Sequence, residues 1–353
     1  MTGRTPAHTS TTARRGRHRL RAATAAATGA LAALALAAAA PGAQARPAAG
    51  ATGGSLVYVK NGAIHLAHAD GTHDRVVKKG SWYFVSMDNH GVIAAMAADG
   101  RSAPDGSTGY SVYRMSKTGK ILGRTPTPVD YSSFGCPTYP SEHVSLSPDG
   151  TTLAYDYSDC NGEHVVWAPA SGKLRLHAYG DYFAPQWRSA KQLVISHFGT
   201  TLTANQATVG LWTTSGRPKG WTAGLADSWA TSYHAAATRD GTKIALIEDD
   251  AANYFDAVPR HVRLVFGTAA GPGRPVKTRC AISLPPNLYA ASNWRGTTPA
   301  VLSFRPDGNL LAWDAGNGIW TARTRSLAAC TKTSLHAQLW IRGGGYPYFS
   351  PAG

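Results

Sequence analysis

The sequence predicts an all-β fold, a six-bladed β-propeller of four-stranded antiparallel blades. Three observations carry that expectation. Nearly every apolar run beyond residue 54 is short, β-branched or aromatic, and bounded by Gly, Asp, Asn, Ser or Pro. Leu56-Val57-Tyr58-Val59, Val165-Val166-Trp167, Leu193-Val194-Ile195 and Val262-Arg263-Leu264-Val265-Phe266 are examples, and no segment keeps a helical period. A strand, a tight turn and a second strand recur at a scale of roughly 40–60 residues, the mark of a repeat architecture. The last residues, Phe349-Ser350-Pro351-Ala352-Gly353, repeat the ending of that unit and have no strand after them.

Taken in order, the first 45 residues read as a secretory signal peptide. Arg14, Arg15, Arg17, Arg19 and Arg21 make a basic start, Ala22 to Ala40 an Ala/Leu-rich stretch, and Ala43-Gln44-Ala45 a small-residue cleavage site. Pro41-Gly42 interrupts the apolar stretch, which argues against a membrane anchor. Arg14-Arg15 lacks the apolar pair that marks twin-arginine export, so the route stays open. No Cys lies near the cleavage site, so no lipid anchor is expected. The mature chain is expected to be extracellular, with residues 46–54 a flexible tail and 55–353 the propeller. Of the formal net charge of +15, the leader carries six Arg and no acid, leaving +9. That balance suits anionic wall polymers or surfaces. No nucleic-acid motif is present, no membrane insertion is expected after cleavage, and the protein is expected to be a monomer.

Six repeat units follow. Their turns are Asp88-Asn89-His90-Gly91, Pro148-Asp149-Gly150, Ser189-Ala190-Lys191, Arg239-Asp240-Gly241, Pro306-Asp307-Gly308 and Pro351-Ala352-Gly353, the first and third degenerate. Asp-Gly supplies the φ > 0 positions of a tight hairpin. Each unit has room for four strands, with second hairpins at Asn61-Gly62 and Asn317-Gly318. Four-stranded units around an axis describe a propeller. A seventh blade stays open, because the long stretch after Gly241 has room for an extra strand pair. The ring is expected to close by pairing the terminal Tyr348-Phe349-Ser350 with Leu56-Val57-Tyr58-Val59.

Leu146-Ser147-Pro148-Asp149-Gly150-Thr151-Thr152-Leu153-Ala154-Tyr155 and Phe304-Arg305-Pro306-Asp307-Gly308-Asn309-Leu310-Leu311-Ala312-Trp313 resemble the WSPDG-x-x-I-A-F repeat of TolB-like propellers. Val57 to Gly71 resembles that family's next strand pair, and the resemblance spans roughly residues 55–353. It implies a six-bladed propeller and a protein or peptide partner. It also implies that the aromatic residue just before the turn wedges between blades, a role that falls on Phe84, Trp187, Trp294 and Tyr348. The chain lacks the family's separate N-terminal α/β domain, so a part in the Tol–Pal envelope machine is not expected.

Tyr182, Trp229, Tyr233, His234, Tyr289 and Tyr346 precede or open the innermost strands of different units. In a propeller those segments gather at one mouth of the central channel, where flat rings stack on sugars or grip peptides. The mouth is therefore the expected ligand site, for a protein, a peptide or an extracellular glycan. A second group is acidic. Glu248-Asp249-Asp250, with Asp256 nearby, is assigned to a turn between middle strands, as are Asp156 with Asp159 and Asp314 in other units. Asp249 and Asp250 are candidate Ca²⁺ ligands, and clustered carboxylates also serve as an acid–base pair.

There is no GxSxG elbow, HExxH or P-loop. The chain ends at its last blade turn, so no prolyl-oligopeptidase-type peptidase domain is expected. The leading expectation is a non-catalytic binding module without cofactor. The alternative is a glycan-active hydrolase or lyase, which requires His, Arg and carboxylates to converge on the channel, with His143, His234 and Asp181 as candidates. Four Cys in an oxidising compartment give two disulfides. Loop positions pair Cys136 with Cys160, which leaves Cys280 with Cys330.

Overall fold

The structure, a computed structural model, describes residues 53–102, 108–127, 139–159, 162–170, 177–180, 182–197, 209–213, 219–221, 232–249, 261–285, 301–330 and 336–353. These residues form six four-stranded antiparallel sheets, the blades of a propeller. Blade 1 contains β1 (Ser55–Lys60), β2 (Ala63–His68) and β3 (Arg75–Lys78), and its inner strand is β24 (Gly344–Ser350) from the far end of the chain. Blade 2 is β4 (Trp82–Met87), β5 (Ile93–Ser102), β6 (Thr108–Met115) and β7 (Ile121–Pro126). Blade 3 is β8 (Tyr139–Leu146), β9 (Thr152–Asp159), β10 (Gly162–Pro169) and β11 (His177–Gly180). Blade 4 is β12 (Tyr182–Ser189), β13 (Gln192–His197), β14 (Val209–Thr213) and β15 (Lys219–Gly220). Blade 5 is β16 (Ser232–Ala237), β17 (Lys243–Asp249), β18 (Val262–Ala269) and β19 (Val276–Ser283). Blade 6 is β20 (Leu302–Phe304), β21 (Leu310–Ala315), β22 (Gly318–Arg323) and β23 (Gln338–Arg342), with one short helix, α1 (Thr324–Ala328). No helix among the described residues is long and apolar enough to cross a membrane.

The repeated turn joins each inner strand to the next. In blade 3 the Ser147 N–H donates to the Thr152 carbonyl at 2.8 Å and the Gly150 N–H to the Ser147 carbonyl at 2.8 Å. Gly150 sits at φ 72°, where any Cβ is strained. Asp149 ties the turn from inside, accepting from Ser147 Oγ at 2.6 Å and Thr151 Oγ1 at 2.9 Å. Burial pushes its carboxyl up, but these hydrogen bonds outweigh it and hold the group below its ordinary value. Asp240 and Asp307 repeat the device in blades 5 and 6.

The ring closes as expected. Ser55, Leu56 and Val57 pair with Ser350, Phe349 and Tyr348, so both ends of the chain share one sheet. Ser55 Oγ donates to the Ala352 carbonyl at 2.7 Å, and Ser350 Oγ to the Asp88 carbonyl of blade 2 at 2.6 Å. The core lies between blades. Trp187, Leu193 and Ile195 of blade 4 pack on Ala154 and Val165 of blade 3. Met96 and Val112 of blade 2 pack on Leu146, Leu153 and Tyr155 of blade 3. Each fully buried side chain of this size contributes about 1.5–3 kcal/mol. Cys280 on β19 and Cys330 after α1 form a disulfide, Cα–Cα 5.6 Å, that staples blade 5 to blade 6. Cys136 and Cys160 lie outside the described residues.

The acidic residues depart from expectation. Asp156 and Asp159 lie in β9, Glu248 and Asp249 in β17 and Asp314 in β21, in strands rather than turns. The ladders run on because each buried carboxylate has a partner that keeps it there. Glu248 is fully buried opposite Arg263 on β18 and forms an ion pair with it. Asp156 and Asp314 are held by backbone N–H groups, as described next.

Candidate functional site: one end of the axial channel

The six inner strands, β4, β8, β12, β16, β20 and β24, surround the axis. Equivalent pairs next to the turn are Met87↔Ile93, Leu146↔Leu153, Trp187↔Leu193, Ala237↔Ile244, Phe304↔Leu311 and Phe349↔Leu56. Three residues upstream of those positions stand Phe84, His143, Ala184, His234, Val301 and Tyr346. The common register places all six at one level of the channel wall, toward the end where the inner strands begin. Phe84, His143, Ala184 and Val301 line a cavity of about 20 Å³ there, with Ala235 beside His234. Among the described residues this space admits a water-sized group.

The layer is shaped by backbone strain. Phe84, Ala184 and Tyr346 have φ of 44°, 53° and 54°, a conformation that non-glycine residues rarely adopt. The pairing registers of β4 and β12 slip at Phe84 and Ala184, so these are bulges that turn the inner strand toward the axis. Carboxylates hold two of the three. Asp156 accepts from the Ala184 N–H at 2.7 Å and from the His143 N–H at 3.0 Å. Asp314 accepts from the Tyr346 N–H at 3.0 Å and from the Val301 N–H at 2.9 Å. A serine layer lies one step deeper. Ser86, Ser145 and Ser303 accept from the N–H groups of Leu146, Trp187 and Phe349 in the next blade.

Two kinds of ring face the axis. Phe84 and Tyr346 meet edge to face, centroids 4.6 Å apart. His143 and His234 stack at 5.5 Å, and Phe183 packs edge-on against His234 at 5.2 Å. Nδ1 of His143 lies 3.4 Å from Asp156. His234 is 2 % exposed, and neither ring nitrogen has a hydrogen-bond partner among the described residues. Burial, reinforced by the neighbouring His143, holds its pKa well below the ordinary value, so the ring is neutral. Asp314 moves the other way. Burial raises its carboxyl to about 6, although the Tyr346 and Val301 N–H groups and His143 pull it back.

The ligand residues expected from sequence divide as follows. His234 is in the channel layer, buried, and Tyr346 is there, half-buried. Tyr182 is half-buried against the core between blades 3 and 4. Tyr233 belongs to β16 through its backbone, its side chain lying outside the described residues, as do Trp229, Tyr289, Trp294, Asp181, Asp250 and Asp256. The side chain of Asp249 is likewise outside them. Among the described residues no three His, Cys, Asp or Glu side chains are placed to hold a metal ion. Trp187 and Tyr348 are buried, as inter-blade wedges require. Phe84 is only half-buried and joins Tyr346 in the ring layer. The grouping of Phe84, His143 and the two aspartates was missed in the sequence. Their constant distance from the repeated turn was the available signal.

No family model matches the chain, and no curated protein matches it in sequence. Among solved structures it is similar to TolB from Acinetobacter baumannii, at 14 % identity and a TM-score of 0.51 over 84 % of this chain and 66 % of that one. The chain thus spans about two thirds of that protein's length. It is also similar to a chain of a nidogen/laminin complex (12 %, TM-score 0.48, 84 % and 98 %) and to an oligogalacturonate lyase in complex with manganese (12 %, TM-score 0.45, 75 % and 69 %). At such identities the likeness is one of fold.

Proposed function

We propose that this six-bladed propeller of TolB-like fold is an extracellular, non-catalytic binding module. It takes a projecting group of a protein or peptide partner into the channel end lined by Phe84 and His143, against which the rings of Tyr346 and His234 pack. One observation carries the reading: the buried His234 ring has two nitrogens and, among the described residues, no partner for either. A neutral imidazole presents one N–H donor and one acceptor. Leaving such groups buried and unpaired costs about 1–3 kcal/mol each. An incoming donor or acceptor, such as a side-chain amide or hydroxyl, reaches one of the two, which point away from each other across the ring. The aromatic faces of Phe84 and Tyr346 then flank it. The extracellular setting rests on the leader-like first 45 residues and on the disulfide.

The catalytic alternative is disfavoured by the same geometry. Asp156 and Asp314 spend their oxygens on backbone N–H groups rather than offering them to a substrate. Selection of peptides from a displayed library against residues 46–353, repeated with His234→Phe, tests the proposal. Enriched peptides that lose at least about tenfold in affinity on the variant are expected, the equivalent of one good hydrogen bond. Turnover on any polysaccharide, or equal binding by the variant, overturns it.

A further inference from the structure

Blades 1 and 2 carry, away from the channel, a feature the binding site does not use. Among the described residues the large apolar side chains left exposed are Val76 (45 %), Tyr83 (39 %), Ile121 (40 %) and Leu122 (48 %). Val76 lies on β3 and Ile121 with Leu122 on β7, the outermost strands of these two adjacent blades. The two edges touch: Gly119, in the turn leading into β7, lies so close to the Val77 carbonyl that a Cβ there would collide with it. Around these side chains stand Arg75, Lys78, Lys79, Arg114, Lys117, Lys120 and Arg124, and the only acid within residues 73–79 and 114–124 is Asp74, which pairs with His65. Lys117 is tied to the Gly353 carbonyl. Arg75, Lys79, Lys120 and Arg124 are exposed. These two segments hold six of the nine net positive charges of residues 46–353.

Lysines on an edge strand have an ordinary role, the prevention of strand pairing. Uncovered Val, Ile and Leu do the opposite, so the combination needs another explanation. A second copy of this chain would bring like charge against like charge. A soluble polyanion would use the cations and leave the aliphatic side chains idle. A surface that is anionic outside and hydrocarbon just beneath uses both. We infer that the joined outer edges of blades 1 and 2 are a docking face for an anionic lipid surface. Val76, Ile121 and Leu122 enter the interfacial layer, and Arg75, Lys79, Lys120 and Arg124 meet the headgroup phosphates. Such docking is peripheral and leaves the channel end free.

Sedimentation of residues 46–353 with phosphatidylcholine vesicles, with and without phosphatidylglycerol, tests the inference. Binding is expected only with phosphatidylglycerol and should weaken as salt is raised. Lys120→Glu with Arg124→Glu should reduce it about tenfold or more. Arg75→Glu with Lys79→Glu, on the other strand, should do the same. Ile121→Ser with Leu122→Ser should reduce it several-fold while its salt dependence persists. All variants should keep the wild-type melting temperature, because every altered residue is exposed. No phosphatidylglycerol-dependent binding at low salt overturns the inference. So does wild-type binding by the Ile121→Ser/Leu122→Ser variant, which would mark the face as a polyanion site.

Discussion

Asp156 and Asp314 are counterparts three blades apart. Each lies six residues after its turn glycine, and each joins the inner strand of its own blade to that of the next. Replacing either with Ala strands two buried N–H groups and should cost about 2–4 kcal/mol. Asn, which keeps one acceptor oxygen, should cost about half as much. Urea unfolding decides this. A loss within about 0.5 kcal/mol, the range of an ordinary surface change, would mean that the bulges hold without the carboxylates.

Asp314 should also leave a mark on the pH dependence of stability. Its folded pKa is about 6, against an ordinary 3.8. The folded state therefore holds the proton more tightly. That stabilisation is complete below the ordinary value and is lost as pH rises through about 6. The advantage of wild type over Asp314→Asn should accordingly shrink between pH 4 and pH 7, by on the order of 2–3 kcal/mol. A constant difference across that window would show that the group titrates normally.

His234 acts in the opposite sense. Its folded pKa is depressed, so its contribution is present above the ordinary value of 6.5 and is lost as pH falls. His234→Phe keeps an aromatic ring beside Phe183 and cannot be protonated. The variant should be more stable than wild type near pH 8, where it removes two unpaired buried nitrogens, and by a wider margin near pH 5. A variant less stable at both pH values would mean that the imidazole nitrogens are satisfied in the folded protein.

The Cys280–Cys330 bridge spans 50 residues. Chain-entropy reasoning assigns such a loop about 4 kcal/mol. Cys280→Ala with Cys330→Ala should lower the denaturation midpoint accordingly. Non-reducing peptide mapping should recover the Cys280–Cys330 pair and, by the sequence reading, Cys136–Cys160. Free thiols or crossed pairs would remove the second expectation.

Deleting residues 346–353 should be far more damaging than its length suggests. It removes most of β24, exposes the edge of β1 and uncovers the cluster around Val57, Tyr348 and Ala352. Aggregation and a loss of several kcal/mol are expected. A truncated protein melting at the wild-type temperature would contradict the closure.

The turns carried most of the legible information. Pro148-Asp149-Gly150 and Pro306-Asp307-Gly308 fix backbone sign and hydrogen bonding locally, so the strands on either side could be placed, and from them the blades and the seam. The channel layer was harder to read. Phe84, Ala184 and Tyr346 occupy left-handed backbone without being glycine, and only the neighbouring blade's packing and carboxylate impose that. Asp156 and Asp314 looked like loop residues because their partners are main-chain amides, which leave no trace in the sequence. Glu248 reads as part of an acidic turn in the sequence, and only the register sets it across from Arg263. His234 was counted among rim rings because aromaticity says nothing of depth.

The seam in blade 1 also fixes an order of events. Blades 2 to 6 each draw four strands from a continuous stretch of chain and can condense as that stretch appears. Blade 1 joins residues 297 apart and has no inner strand until the last residues arrive. Until then β1 is an unpaired strand edge, and the face of blade 6 that packs on β24 is uncovered. The entropic cost of meeting grows only slowly with the length of the intervening chain, and stacked blades between the ends reduce it further. The final seven-residue strand therefore works as a clasp. It can form only once residues 344–350 are present, and its opening uncovers the edge of β1.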